Sequence, residues 1–234
     1  MNFPALPVNI FLVLTLGLFF LLLGGIKGSL RRARHSNQTG VLYVSAFVIF
    51  GYLLGLAFLA NQGWFAHFLK LPPRVMLPVA LCFIFIAFTA FNKGVGKVLD
   101  ELPMGLLIYP QVFRIGVEIV LWQLGESGKA PTQMTFEGMN YDILAGISAP
   151  IVAFIAFGQG RNIRWLGILW NFLALGLLIN ILVIAILSLP AIGAFQEENR
   201  FIAYFPFIWL PGFVAPMALW LHVMSLRQLF RRKA

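Results

Sequence analysis

Long apolar segments dominate this sequence and constrain its fold more than any other feature. An α-helix needs about 20 mainly apolar residues to cross the roughly 30 Å of hydrocarbon in a bilayer. Only short polar stretches separate the segments, so we predict that residues 1–234 form one transmembrane domain, an all-α bundle of seven helices. The segments that fit this pattern are 8–26, 40–60, 75–91, 104–124, 143–158, 165–189 and 207–226.

The composition excludes an ordinary soluble protein. Hydrophobic residues make up 60% of the chain and charged residues 11%, and the mean hydropathy is +0.89. A soluble domain is typically about 45–50% apolar and about 25% charged. The single cysteine, Cys82, excludes an intrachain disulfide scaffold, and the 24 phenylalanines exclude a disordered chain. We therefore predict that lipid is the main solvent.

The positions of Lys and Arg predict the orientation, because basic residues near the ends of spans stay on the cytoplasmic side. With the N-terminus outside, the outer segments hold only Lys70, Arg74, Lys129 and Arg200. The cytoplasmic segments hold Lys27, Arg31, Arg32, Arg34, Lys93, Lys97, Arg161, Arg164, Arg227, Arg231, Arg232 and Lys233. We predict an N-out, C-in topology. The net charge of +9 then indicates contact with anionic lipid heads at the cytoplasmic face, not with nucleic acid.

The fourth segment carries a polar stripe of Gln111, Arg114, Glu118 and Trp122, which are spaced three, four and four residues apart and share one helical face. A charge at this depth costs about 2.5–3.5 kcal/mol, so the stripe is expected to face the bundle interior. Arg114 and Glu118 lie one turn apart and are predicted to neutralise each other. Two interpretations remain open: a structural ion pair, or a central site for a ligand, ion or proton.

The other polar residues of the predicted spans are fewer. Asn171 and Asn180 in the sixth segment lie nine residues apart and point in opposite directions, so we expect one of them to reach the stripe. Together with Gln111, Arg114, Glu118 and Trp122 they form the predicted ligand-binding set. Interhelical amide bonds are also common in membrane bundles, and this structural alternative stays open. His222 in the seventh segment is interpreted as a packing residue.

The longest outer loop, residues 125–142, mixes apolar and acidic residues and is expected to fold against the mouth of the bundle. Asp142 is predicted to be the N-cap of the fifth helix, where its carboxylate would accept backbone amide hydrogens. The alternative is that Glu137, Asn140 and Asp142 form an outer gate or cation site.

The residues that membrane catalysis requires are missing. The three histidines, His35, His67 and His222, are predicted on both sides of the membrane and cannot together form a zinc site. The sequence contains no metalloprotease, serine-hydrolase or phosphate-loop motif. We therefore predict no catalytic residue, no metal and no cofactor, and an enzyme is not favoured.

Two stretches resemble a group of bacterial seven-span inner-membrane proteins with no assigned activity: residues 134–150 (MTFEGMNYDILAGISAP) and residues 205–229, which begin with FPFIWLP and end with LRQL. The similarity covers mainly the second half of the chain. It implies an integral protein of the bacterial inner membrane and implies nothing about mechanism.

Three functions stay open. The favoured one is binding or transport of a small solute or lipid-like molecule at the polar stripe, with Pro150, Pro211 and Pro216 as helix breaks that could line a cavity. The first alternative is a structural subunit of a membrane complex or a homo-oligomer, for which the GxxxG sequence of Gly51 and Gly55 would allow close helix approach. The second is a lipid-modifying enzyme that uses the outer carboxylates Glu137 and Asp142.

Overall fold

A computed structural model of the protein describes residues 1–68 and 71–231, which are largely helical and contain no strand. Lys70, Arg232 and Lys233, which contributed to the predicted orientation, lie outside the described residues. The α-helices of the described chain are α1 (Ala5–Arg32), α2 (Gln38–Asn61), α3 (Met76–Phe91), α4 (Lys93–Asp100), α5 (Phe113–Glu126), α6 (Ile143–Phe157), α7 (Arg164–Leu187) and α8 (Ala215–Arg231).

Six helical segments of the described chain are long and apolar enough to cross a membrane. They contain α1, α2, α5, α6, α7 and α8. The 16-residue α3 meets the same test only together with α4, which departs from it at an angle of 71°. The predicted all-helical membrane architecture is therefore confirmed. The count of seven spans and the N-out, C-in orientation stay predictions.

The outward faces of α2 and α3 are covered by large apolar side chains. Phe47 is 81% exposed and Phe91 is 86% exposed, and Phe58 and Phe88 are also exposed. Helices that are hydrophobic on all sides are typical of membrane spans, because lipid covers the faces that the protein does not. The exposed phenylalanines therefore agree with a bundle embedded in lipid.

The bend between α3 and α4 has a local cause at Asn92. This residue is extended, and its side-chain oxygen accepts hydrogen bonds from the backbone nitrogens of Gly94 at 2.8 Å and Val95 at 3.0 Å. Asn92 is thus the N-cap of α4. Arg227 of α8 donates to the carbonyls of Thr89 at 2.7 Å and Asn92 at 2.8 Å. This basic residue closes the end of α3 in addition to any effect on topology.

The fourth segment begins differently from the prediction. Residues 104–112 form two short 3-10 turns, Met104–Leu107 and Tyr109–Val112, and the α-helix starts only at Phe113. The predicted span is therefore present as the helical segment Met104–Glu126, but its first nine residues are not α-helical. Pro110 explains the change, because proline lacks an N–H and disfavours the α conformation in the residue before it.

The seventh segment contains a break that other helices hold together. A π-helical turn, Leu210–Val214, leads into α8, and Pro216 has no N–H to donate to the carbonyl of Gly212. Tyr52 Oη of α2 at 3.0 Å and Cys82 Sγ of α3 at 3.1 Å donate to this carbonyl instead. Both side chains thus replace the bond that the proline removes, a role beyond packing.

Candidate functional site

Arg114 forms its ion pair with Asp142 and not with Glu118. Its Nε donates to Asp142 Oδ2 at 2.6 Å, and its Nη2 donates to Oδ1. Arg114 is 1% exposed and Asp142 is 5% exposed. The predicted ion-pair contact between Arg114 and Glu118 is therefore not formed, although the two side chains remain one turn apart on the same helix. The guanidinium fork fits a carboxylate in two parallel bonds, and the start of α6 offers such a carboxylate beside α5.

Asp142 is the residue before α6, as predicted, but its side chain does not cap the helix. The carboxylate is instead occupied by Arg114. The backbone nitrogen of Asp142 donates to Asn140 Oδ1 at 3.0 Å. A buried guanidinium offers the carboxylate stronger bonds than backbone amides do, which explains why the predicted capping bond is absent.

Gly146 allows α6 to approach α5 closely enough for this pair. It lies one turn after Asp142. A methyl group on Gly146 would lie 2.8 Å from Ile115 Cγ1 and 2.9 Å from the Ile115 backbone nitrogen. Only glycine fits this contact without a shift of one helix, so the sequence at Gly146 helps to position Asp142 against Arg114.

Glu118 is bound by Asn140 of the outer loop. The Nδ2 atom of Asn140 lies 2.8 and 2.7 Å from the two carboxylate oxygens, and it also donates to the carbonyl of Met134 at 2.9 Å. Glu118 and Asn140 are both buried. The loop therefore folds into the bundle, and it brings Asn140 and Asp142 of the predicted outer mouth into contact with the predicted central stripe.

A hydrogen-bonded chain continues from Arg114 toward the predicted cytoplasmic side. Arg114 Nη1 lies 3.1 Å from His222 Nε2, and because arginine can only donate, Nε2 accepts. The proton of the neutral ring is then on Nδ1, which donates to Asn171 Oδ1 at 2.9 Å. Asn171 Nδ2 donates in turn to Ser225 Oγ at 3.0 Å. Asn171 thus joins the site through His222, whose role the sequence analysis missed.

The remaining predicted site residues form hydrogen bonds outside this network. Gln111 Nε2 donates to the carbonyl of Ala218 at 3.0 Å and ties the second 3-10 turn to α8. Trp122 Nε1 donates to the exposed Glu137 at 3.0 Å, and Asn180 Nδ2 donates to the carbonyl of Met139 at 2.8 Å. These contacts fasten the outer loop to the bundle. The ligand-binding role of Gln111, Trp122 and Asn180 and the outer-mouth role of Glu137 stay predictions.

A cavity of about 80 Å³ lies beside the cluster, between α5, α7, the π turn and α8. Arg114, Glu118, Asp142 and Asn199 line it together with a larger number of apolar side chains. A cavity needs only about 10–15 Å³ on this measure to hold one water molecule. The space is therefore sufficient for several waters or for a small organic group.

Asn199 is a cavity residue that the sequence analysis did not identify. It is buried, its backbone nitrogen donates to the carbonyl of Ser188 at 2.7 Å, and its Nδ2 donates to the carbonyl of Ala185 at 3.1 Å. Its Oδ1 has no hydrogen-bond partner among the described residues. Nothing in the sequence pointed to Asn199, because it follows two glutamates in a loop that reads as solvent-exposed.

Within residues 1–68 and 71–231, no group of three or more His, Cys, Asp or Glu side chains is arranged to hold a metal ion. No protein-family model, curated protein or solved structure matches the chain. The function must therefore be argued from the chemistry of the site.

Proposed function

We propose that this integral membrane protein binds and transports a small solute or lipid-like molecule, and that the cavity beside Arg114 and Glu118 is its binding site. One observation carries the proposal: charged side chains line a cavity inside an apolar bundle. Ionisable groups at membrane depth are costly and mark ligand or ion pathways in many membrane proteins. A purely structural ion pair would be expected to pack without a cavity beside it.

The break before α8 supports transport over static binding. Leu210, Pro211 and Val214 of the π turn line the cavity. Interrupted helices line the substrate sites of many transporters, and π turns occur often at functional sites. Because the Gly212 carbonyl accepts from Tyr52 of α2 and Cys82 of α3, a movement of this turn would be coupled to both helices.

We further propose the bacterial inner membrane as the location, with the N-terminus outside, and anionic lipid heads as partners of the cytoplasmic face. The positive-inside distribution of Lys and Arg and the resemblance in the second half of the chain support this location. Not every basic residue is free for lipid, because Arg164 donates to the carbonyl of Leu229 near the end of α8.

The two alternatives receive different support. A lipid-modifying enzyme required Glu137 and Asp142 to act together, but Asp142 is buried against Arg114 and Glu137 is exposed and bound to Trp122. A structural role is favoured by Gly51 and Gly55, since a side chain added at either position would meet no described atom within 4 Å. That face of α2 is open to a helix of another subunit.

Cavity filling tests the proposal. Leu182 lines the cavity, whereas its neighbour Val183 is exposed on the outer face, so Leu182→Trp and Val183→Trp place the same indole side chain in two directions. Small molecules released from the purified protein would be identified by mass spectrometry, and their uptake would be measured in proteoliposomes. We expect wild type and Val183→Trp to release and transport a molecule that Leu182→Trp does not. Equal release and uptake by all three proteins would refute the proposal.

A further inference from the structure

We infer that the molecule bound in this cavity carries a protonated amine, which binds Glu118 and Asn199. The inference rests on the proposed function and specifies the chemical class of the ligand. Some polar groups of the cavity already form hydrogen bonds within the protein, and the groups that do not determine which ligand fits.

The hydrogen-bond donors at the cavity are almost all used within the protein. Arginine has five N–H groups. Arg114 directs two of them to Asp142, one to the carbonyl of Ala174 and one to His222, so four are occupied. Asn199 Nδ2 is bound to the carbonyl of Ala185. Asn199 Nδ2 keeps a second N–H, so an anionic ligand would find two free N–H groups among the described residues, one on Arg114 and one on Asn199.

The hydrogen-bond acceptors at the cavity, in contrast, are largely unoccupied. The two carboxylate oxygens of Glu118 offer about four acceptor positions. Among the described residues only Asn140 Nδ2 binds them, and that group also donates to the carbonyl of Met134. Asn199 Oδ1 accepts nothing among the described residues and is buried. A ligand that fits these groups must donate hydrogen bonds.

The charges of the side chains at the cavity also favour a cationic ligand. The ionisable groups of the cluster are Arg114 and Glu118 of α5, Asp142 before α6 and His222 of α8, while α7 contributes the neutral Asn171. His222 accepts from Arg114 and is neutral, and the charges of Arg114 and Asp142 balance. Among the described residues Glu118 makes no ion-pair contact, so the ionised cluster of Arg114, Asp142 and Glu118 carries one net negative charge. A buried charge without a partner is strongly unfavourable, and a cationic ligand would supply the partner.

The remaining wall of the cavity is apolar. Phe113, Val117, Leu121 and Leu178 line it, and they offer no hydrogen bond to a second polar group of the ligand. The volume of about 80 Å³ limits the enclosed part to a small group. The best match is a primary ammonium attached to a short alkyl chain, and n-butylammonium is a suitable probe.

The test compares three probes of the same length on the full chain in lipid nanodiscs at neutral pH. We expect n-butylammonium to raise the thermal unfolding temperature more than n-butanol does, and butyrate to have no effect. An equal effect of all three probes, or a larger effect of butyrate, would overturn the inference. Neither result would contradict the proposed function, which the comparison of Leu182→Trp with Val183→Trp tests separately.

Variants locate the binding group. Loss of one charge-assisted hydrogen bond corresponds to roughly a 10- to 100-fold weaker Kd. We expect this loss for n-butylammonium in Glu118→Gln, whereas Glu126→Gln, an exposed carboxylate on the same helix, should bind like wild type. Asn199→Leu leaves the Glu118 contacts in place and should also bind more weakly, which keeps the test valid if Glu118→Gln does not fold. Unchanged affinity in the folded variants would indicate that a proton alone neutralises Glu118, and it would overturn the inference.

Discussion

The ion pair of Arg114 and Asp142 yields the most quantitative prediction. Both groups are buried and joined by two hydrogen bonds, so removing one partner leaves a charge in the membrane interior without compensation. Breaking a buried pair in this way costs about 3–5 kcal/mol, whereas replacing both partners by apolar side chains is often nearly neutral. We expect Arg114→Met and Asp142→Leu each to lower the free energy of unfolding by about 3–5 kcal/mol.

The double variant should be more stable than either single variant. It still loses the bonds of Arg114 to His222 and to the carbonyl of Ala174, which are worth about 1 kcal/mol each. We therefore expect it within about 2 kcal/mol of wild type, which gives a coupling of at least about 4 kcal/mol between the two positions. Reversible unfolding in mixed detergent micelles, followed by circular dichroism, would supply the four free energies of the cycle.

A second double-mutant cycle tests whether Arg114 is paired with Asp142 or with Glu118. Arg114→Met combined with Glu118→Leu tests the pairing that helical spacing alone suggests. Because Glu118 is bound by Asn140 and makes no ion pair with Arg114, we expect a smaller coupling in this cycle than in the first. A coupling of equal or greater size, or additive effects of Arg114→Met and Asp142→Leu, would contradict the assigned pairing.

Three further predictions test the fold around the site. Gly146→Ala should lower the free energy of unfolding by about 1–3 kcal/mol through overpacking. The added methyl group of Gly176→Ala meets open space, so this variant should leave the free energy of unfolding unchanged or raise it. The same unfolding assay distinguishes the two variants. Tyr52→Phe should cost about 1 kcal/mol because it removes a hydrogen bond at the break before α8, and the exposed Tyr43→Phe should cost nothing measurable in that assay. Reporter fusions to the two chain ends should be active on opposite faces of the membrane, and activity on the same face would exclude an odd number of spans.

Several features of the candidate site follow from the spacing of residues along one helix. Arg114 and Glu118 were predicted to face the bundle interior because charges are costly in lipid, and both are buried. The loop of residues 125–142 was predicted to fold against the bundle, and Asn140 and Asp142 are buried in it. Where proline interrupts the backbone the spacing misleads, as in residues 104–112, because a regular helix was assumed there.

The contacts between helices depend on the tertiary structure. The pairing of Arg114 with Asp142 requires the close approach of α5 and α6 at Gly146, and the link from Arg114 to Asn171 requires His222 of a third helix. Asn199 becomes a cavity residue only because its side chain is buried while most of the residues around it in the loop are exposed.

The sequence alone therefore determined that the chain is a helical membrane protein and that one helix carries buried charges. Hydropathy and helical geometry are local properties, repeated every few residues, and they can be read without knowing the neighbours. The partner of each charge, the cavity and its unoccupied acceptors were decided only by the tertiary structure. They depend on which helices meet and how closely, and this is a matter of shape complementarity between segments that lie far apart in the chain.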